Sequence, residues 1–320
     1  MKKLLTFIFS AVICPLALTG CGEKELSVGT SFNPSMYHSF GEQMKKNLEN
    51  DKGLKYNVTV LSTAGSVDNV RMLNDNRIQL ALIQNDVSYE AYHSTGAFKG
   101  EQPLGNFVAV AGLYTEACHI VVRADSSIHH VSDLLGKAIS LGTFNSGTEK
   151  NAKEILNKYG ISGYSIVAKH MNINEALNAL DEGSIDALFL TNGLRSTDIY
   201  TLSGKIKIRL ISIDEEQLQS IVKNSPFFIK TVIPANTYVG QTEDIQTIGI
   251  KTILAVNRSM QNEDVYGITE NLFENARKFD NIVPTNYSLT TKDSAKGVSI
   301  PFHPGAAKYY RSKGEKVRTE

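Results

Sequence analysis

Apolar runs alternate with amphipathic segments through most of the chain, which predicts strands followed by helices. Residues 28–33 (VGTSFN) run from an apolar stretch into a polar loop. The next segment places four apolar side chains on one face of a helix: Met36, Phe40, Met44 and Leu48. Residues 141–148 (LGTFNSGT) repeat this design. They precede a second helical pattern, which Gly160 ends and which carries Ala152, Ile155, Leu156 and Tyr159.

A second pair of segments repeats in the same order. Residues 73–85 and residues 180–192 each read as a helix end, a turn, a buried strand and then polar residues. We therefore predict an α/β fold of two similar lobes, each a mostly parallel sheet flanked by helices with a cleft between them. A crossing strand at 120–122 and another at 248–256 set the predicted limits. Lobe I takes residues 21–116 and 231–320, and lobe II takes residues 117–230.

The first residues of the chain predict export. Lys2 and Lys3 precede an apolar stretch, residues 4–18, that is too short to span a bilayer. It ends in LTGC at 18–21, which resembles a bacterial lipobox. We therefore predict a signal peptide at residues 1–20 and a lipid on Cys21, which would anchor the mature protein at the periplasmic face of a membrane. The alternative is an ordinary secretory signal with a chance cysteine.

Composition narrows the class of function. The chain has 33 Lys and Arg against 33 Asp and Glu. This balance gives no indication of the basic face that a nucleic-acid partner would require. With Cys14 in the signal and Cys21 lipidated, Cys118 has no partner for a disulfide, and it reads as a small buried residue. No phosphate-binding loop, dinucleotide fingerprint, nucleophile elbow or metal-binding helix is present, so we predict no cofactor, no metal and no enzymatic activity.

The repeated strand–loop–helix units predict an anion site. Ligands of open α/β sheets lie outside the carboxyl ends of the strands, where helix N-termini offer free N–H groups and a positive dipole end. The candidate loops are residues 31–37 and residues 143–148. The alternative is that their Ser, Thr and Asn side chains only cap the helices, because capping and anion binding use the same residue types.

Seven stretches, in similar order over nearly the whole mature chain, resemble the TAXI solute-binding receptors of TRAP (tripartite ATP-independent periplasmic) transporters. They are STAGSVDNVRML at 62–73, LIQNDVSYEAY at 82–92, AVAGLYTE at 109–116, VVRADS at 121–126, NSGT at 145–148, IPANTY at 233–238 and PFHPGA at 301–306. The resemblance implies a type II-like periplasmic binding protein that closes about a hinge. It also implies membrane permease subunits as partners, and glutamate, glutamine, a dicarboxylate or a 2-oxoacid such as 2-oxoglutarate as the ligand. The chain departs from the family at residues 31–37, where a glycine-rich loop is typical.

The predicted ligand-binding residues come from these loops, strand ends and crossing segments. They are Asn33, Ser35, Tyr37, Ser66, Gln84, Tyr114, Thr143, Asn145, Ser146, Gly147, Thr148, Asn192, Arg195 and Tyr238. Arg195 is predicted to hold a ligand carboxylate through its guanidinium fork, with Arg71 and Arg123 as competitors that could instead form structural ion pairs.

The prediction from sequence is thus a monomeric, lipid-anchored receptor that captures a small organic anion by hinge closure. An ABC-importer receptor is one alternative, since it would share the fold and use a different membrane partner. A surface lipoprotein with an antigenic or adhesive role and no small ligand is the other.

Overall fold

A computed structural model describes residues 24–33, 35–283 and 289–320. The predicted signal peptide and Cys21 lie outside the described residues. Within these three ranges, no helix combines the length and the apolar character needed to cross a bilayer.

The first part of the chain alternates strand and helix as predicted. Its elements are β1 (Lys24–Gly29), α1 (Met36–Glu49), β2 (Tyr56–Leu61), α2 (Ser66–Asn74), β3 (Leu80–Gln84), α3 (Asn85–His93) and the long strand β4 (Phe107–Arg123). The apolar face read from the sequence of α1 is buried, and its side chains Phe40, Met44 and Leu48 pack against the sheet.

The middle of the chain repeats the alternation with shorter strands. Its elements are β5 (Ala138–Ser140), α4 (Gly147–Lys158), β6 (Val167–Lys169), α5 (Ile173–Glu182), β7 (Ala187–Gly193), α6 (Thr197–Lys205), β8 (Ile208–Leu210), α7 (Glu215–Asn224) and β9 (Phe228–Ile233). The end of the chain adds β10 (Ile245–Asn257), α8 (Asn262–Glu274), α9 (Thr291–Ser294) and α10 (Pro304–Ser312).

Two long strands join the halves of one mixed sheet. The strand order is β2-β1-β3-β10-β4-β7-β5-β6, with β8 on β4 and β9 on β10. The outer strands β1, β2 and β3 are parallel to one another, as are β5, β6 and β7. The long strands β4 and β10 are antiparallel to each other and to the strands beside them. They are the crossing strands predicted at 120–122 and 248–256.

The hydrophobic cores divide the chain into the two lobes. One core draws on residues 26–114 and 253–310, and the other two draw on residues 117–250. The sequence placed residues 231–250 in lobe I, but Ile233, Ile245 and Ile250 pack in the cores of lobe II. The physical reason is that β9 pairs with the first half of β10, so the chain returns to lobe I only within β10.

Candidate functional site

A cavity of about 80 Å³ lies between the lobes, at the carboxyl ends of β3 and β7 and the N-termini of several helices. Nine of the fourteen predicted residues line it: Ser35, Tyr37, Ser66, Gln84, Thr143, Ser146, Gly147, Thr148 and Asn192. The lining also includes residues that the sequence did not single out, among them Glu116, Asn172 and Asp198.

The N-terminus of α2 forms one wall of the cavity. Gly65 precedes the helix with φ 117° and ψ −153°, a conformation that a residue with a Cβ rarely adopts. The side chain of Ser66 accepts a hydrogen bond from the backbone N of Gln84 at 3.1 Å, which ties the helix start to the end of β3. Among the described residues, no acceptor meets the backbone N–H groups of Ser66 and Val67, so these donors are free to bind an anion.

The N-terminus of α4 faces it from lobe II. Ser146 caps the helix, since its Oγ accepts from the backbone N of Glu149 at 3.0 Å. The Oγ1 of Thr148 accepts from the backbone N of Thr191 at 3.1 Å, which fixes α4 to β7. The backbone N–H groups of Gly147 and Thr148 have no acceptor among the described residues. Two helix N-termini from different lobes therefore present amide donors to one cavity.

Most of the hydroxyl groups in the lining already serve the backbone. Ser35 caps α1 by accepting from the backbone N of His38 at 3.0 Å, as Ser146 caps α4. Thr143 donates through Oγ1 to the carbonyl of Ala64 at 3.1 Å, a contact from one lobe to the other. Ser35 and Ser146 therefore cap their helices, and the donors left for a ligand are mainly backbone amides.

The floor of the cavity is a buried polar cluster around Glu116. Its Oε2 accepts a hydrogen bond from Gln84 Nε2 at 2.8 Å and a longer one from the Tyr37 hydroxyl at 3.4 Å. Glu116 is 2 % exposed, and burial raises the pKa of its carboxyl to about 8, with the charge of Asp86 adding to the rise and the bonds from Gln84 and Tyr37 opposing it. Glu116 is therefore largely a neutral acid at pH 7.

Gln84 links this cluster to lobe II. Its Oε1 accepts from Asn151 Nδ2 at 3.1 Å, and Asn151 Nδ2 also reaches Thr191 Oγ1 at 3.2 Å. The amide of Gln84 lies so close to α4 that a Cβ on Gly147 would be 1.9 Å from Gln84 Oε1. Glycine at 147 therefore lets the end of β3 touch the first turn of α4.

A buried ion-pair cluster joins α3 of lobe I to α4 of lobe II behind the cavity. Lys150 Nζ lies 2.7 Å from Asp86 Oδ2 and 3.2 Å from Glu90 Oε1, and the Asp86 side chain is fully buried. The same ammonium lies over the rings of Phe227 and Phe228, 5.4 and 5.1 Å from their centroids. Burial opposes the charged form of Lys150, but the two carboxylates outweigh it and its pKa is raised.

Five predicted ligand residues lie outside the lining. Asn33 is exposed on its loop. Asn145 is also exposed, and its backbone, at φ 60°, donates to Glu149 Oε2 at 2.7 Å. Tyr114 is fully buried in the core of lobe I beside Phe40, so it forms no cleft wall.

Tyr238 is a structural residue of lobe II. Its hydroxyl accepts from the backbone N of Ser196 at 3.0 Å and lies 2.8 Å from His119 Nε2. His119 is itself buried, which lowers the pKa of its imidazole to about 4 and keeps it neutral. The pair secures the start of α6 to β4, away from the cavity.

Arg195 also lies outside the lining, on the exposed surface before α6. Its guanidinium carbon stacks 4.5 Å from the centroid of Tyr200, and it borders a separate cavity with Asp280. The two other arginines considered for the carboxylate form structural ion pairs instead. Arg71 pairs with Glu101 at 2.7 Å, and Arg123 pairs with Asp125 at 3.1 Å. Among the described lining residues there is no Lys, Arg or His side chain.

Glu116 is the functional candidate that the sequence reading missed. It lies in the middle of β4, inside a long apolar stretch, and a charged residue there is a signal because ionised groups are rarely buried without a partner. No group of His, Cys, Asp and Glu side chains suited to a metal ion occurs within the described ranges.

Solved structures with a similar fold are periplasmic binding proteins. The periplasmic binding protein BugD is 13% identical over 81% of this chain and 86% of its own, with a TM-score of 0.54. The alkanesulfonate-binding protein SsuA from Xanthomonas axonopodis pv. citri, bound to MOPS, is 16% identical over 91% of this chain and 84% of its own, with a TM-score of 0.50. At these identities the likeness establishes the fold alone: a mixed α/β periplasmic-binding-protein fold with a curled sheet flanked by helices, which confirms the predicted fold class.

The family is shown by sequence. Residues 28–314 match the NMT1-like family, and the chain belongs to it.

A ligand-binding component of an ABC-type import system from Staphylococcus aureus is also similar in structure, at 13% identity, 91% coverage of this chain, 92% of that chain and a TM-score of 0.48.

Proposed function

We propose that this protein is an extracytoplasmic solute-binding receptor that captures a small organic acid by closing two lobes around it. The observation that carries the proposal is the pair of opposed helix N-termini. Ser66 on one lobe and Gly147 and Thr148 on the other line the same cavity, and their backbone amides have no acceptor among the described residues. A carboxylate bound between them satisfies both sets only when the lobes are together, so ligand binding favours closure.

The cavity favours a small acid with few charges. Helix N-termini and neutral side chains supply the donors, while Glu116 and Asp198 are the acidic groups of the lining. A ligand with two or three carboxylates would need cationic partners that the described lining does not offer. Among the acids that the family resemblance implies, a compact monocarboxylate therefore fits the cavity best.

The proposed membrane partner is a TRAP permease, since the TAXI resemblance extends over nearly the whole mature chain. An ABC importer is the alternative. Co-purification of the tagged receptor, cross-linked in the presence of ligand, with each candidate permease of the source cell distinguishes the two. Recovery of an ATP-binding cassette subunit would contradict the TRAP proposal.

The lipid anchor on Cys21 belongs to the same proposal. Mass spectrometry of the protein from membranes should show a mature chain that starts at Cys21 and carries acyl groups. Cys21→Ser should abolish the acyl groups and leave the signal peptide uncleaved, since the lipobox loses the residue that is lipidated and at which it is cleaved. An unmodified N-terminus would instead support the alternative, an ordinary secretory signal with a chance cysteine.

The test of ligand binding is a thermal-shift screen over amino acids, dicarboxylates, 2-oxoacids and 2-hydroxyacids. A ligand at about 100 times its Kd adds about 2.7 kcal/mol to the free energy of unfolding, so a clear rise in melting temperature is expected for the right acid. Arg195→Ala is the matched control, and calorimetry should give it the affinity of the wild type. If no acid raises the melting temperature, the result would favour the alternative of a surface lipoprotein without a small ligand.

A further inference from the structure

Glu116 has the geometry of a hydrogen-bond donor in the lining of the cavity. Both hydrogen bonds that its carboxyl accepts, from Gln84 Nε2 and from the Tyr37 hydroxyl, go to Oε2. Among the described residues no donor reaches Oε1, and the side chain lines the cavity. In a neutral carboxyl whose Oε2 accepts two bonds, the proton lies on Oε1, where it can donate to a bound molecule.

The charged groups around Glu116 favour this neutral form. Asp86 on α3 adds negative potential, and the ammonium of Lys150 beside it is bound to Asp86 and Glu90. Lys251, on the neighbouring strand β10, donates instead to the carbonyls of Asp293 and Lys296. Besides Glu116, the titratable side chains of the described lining are Tyr37 on α1, which is neutral, and Asp198 on α6, which is an acid.

We propose that Glu116 binds the ligand as a neutral carboxylic acid, donating its Oε1 proton to an oxo or hydroxyl oxygen, and so selects 2-oxo and 2-hydroxy acids against amino acids. This inference rests on the proposed function, because it assumes that the helix N-termini hold the ligand carboxylate. It adds that Glu116 recognises the substituent on the carbon next to that carboxylate.

The chemistry of the two ligand classes decides the preference. An oxo oxygen only accepts hydrogen bonds, so it pairs with a carboxyl O–H, whereas an ammonium only donates and requires the ionised carboxylate. The pKa of Glu116 is about 8, so the neutral form dominates at pH 7, and a bound anion raises the pKa further. An oxo acid therefore binds without any change in the charge of the site, while an amino acid must first displace the proton.

The experiment uses pairs of probes that share a carbon skeleton. Pyruvate is compared with L-alanine, and 2-oxobutyrate with L-2-aminobutyrate, by isothermal titration calorimetry at pH 7 and pH 9. For the wild type we expect the oxo acid of a pair to bind about tenfold more tightly at pH 7, since one buried group is left unsatisfied by the amino acid. Its affinity should fall about tenfold between pH 7 and pH 9, as the competent protonated fraction falls.

Two variants identify the group responsible. Glu116→Gln keeps a donor in place of Oε1–H and does not titrate, so its affinity for the oxo acid should be nearly the same at both pH values. Asp198→Asn removes the other acid of the lining and should keep the wild-type pH dependence. Calorimetry of the wild type in buffers of different ionisation enthalpy gives a readout that does not depend on either variant folding: net proton uptake on oxo-acid binding is expected at pH 8.

The outcomes separate the two proposals. Tighter binding of the amino acids, with affinity rising toward pH 9 and protons released, would overturn the inference and leave the receptor function intact. A pH dependence retained in Glu116→Gln would also overturn it. No binding of any of the four probes would count against both the inference and the small-acid receptor.

Discussion

The α-carbon of Gly147 lies against the side-chain amide of Gln84, and this approach joins the polar floor of lobe I to the first turn of α4. Gln84 is 3 % exposed and is held on both sides, by Glu116 and by Asn151. A side chain at 147 would have to push the Gln84 amide out of these bonds. At the scale of single residues, the contact between β3 and α4 thus depends on the absence of a Cβ at position 147.

Gly147→Ala should lower ligand affinity by about ten- to a hundredfold, because displacing Gln84 leaves buried polar groups unpaired, at about 1–3 kcal/mol. Alanine is a better helix former than glycine, so a loss would not come from α4 itself. The measurement is calorimetry with an acid that stabilises the wild type. Gly163→Ala is the matched control, since no atom lies within 4 Å of a Cβ there, and it should bind normally.

The buried carboxyl of Glu116 should also make stability depend on pH without any ligand. Its pKa is about 8 in the folded protein against 4.5 for an ordinary glutamate, so the folded state holds the proton over this window and the unfolded state does not. The free energy of unfolding therefore receives a contribution that is full below pH 4.5 and falls by about 1.4 kcal/mol per pH unit up to pH 8.

Glu116→Gln should remove this contribution. Urea unfolding of both proteins at intervals from pH 5 to pH 9 gives the difference between them, in which all other titrating groups cancel. The difference is expected to change steadily up to pH 8 and then level off. A difference that is constant over the whole range would show that Glu116 is ionised in the folded protein.

At the scale of elements, ion pairs join α3 of lobe I to α4 of lobe II. Lys150 on α4 pairs with Asp86 and Glu90 on α3, and Phe227 and Phe228 cover the ammonium. Charged groups removed from water are stable only while they are paired, so opening the lobes requires water to reach all three. We therefore expect this ion-pair cluster to stabilise the lobes in contact.

Lys150→Met should destabilise the closed arrangement by roughly 3–5 kcal/mol, because it leaves two buried carboxylates unpaired. The measurements are denaturant unfolding and the radius of gyration from small-angle scattering, which should rise as the lobes separate. Lys153→Met is the control on the same helix: its partner is Glu149, its side chain is 53% exposed, and about 1 kcal/mol or less is expected. Equal effects of the two substitutions would refute a role for Lys150 in closure.

At the scale of the whole molecule, β4 and β10 are the connection between the lobes within the sheet. Their pairing is regular except for register shifts between Lys251 and Ile253 and between Leu254 and Ala255. The first shift falls where the hydrophobic core changes from that of lobe II, which includes Ile250, to that of lobe I, which begins at Ile253. Irregular pairing bends a strand and weakens its ladder locally, so this point is where we expect the hinge.

Hinge closure predicts a change of size on binding. With a saturating acid the radius of gyration should fall, because the lobe contacts of Thr143 with Ala64 and of Lys150 with Asp86 form only when the lobes meet. Small-angle scattering with and without ligand measures it, and Gly147→Ala should show a smaller change at the same ligand concentration. An unchanged radius at saturation would exclude closure as the mode of capture.

Local patterns in the sequence determined the parts of this molecule that depend on neighbours along the chain. The apolar face of α1, the strand segments at 120–122 and 248–256, and the helix that follows residues 141–148 were predicted, because periodicity and capping act within a few residues. Nine of the predicted ligand residues line the cavity because they lie at or beside strand ends and helix starts, which the local pattern also predicts.

Only the tertiary structure decided which groups are desolvated and what faces them. Glu116, Lys150 and Asp86 meet their partners only in the folded chain, and burial raises the pKa of the Glu116 carboxyl. Arg195 and Tyr238 have side chains suited to binding an acid, but neither lines the cavity. Arg195 stacks on Tyr200 at the surface, and Tyr238 is buried against His119. The boundary of lobe I also moved into β10, since a strand belongs to the core that its side chains fill.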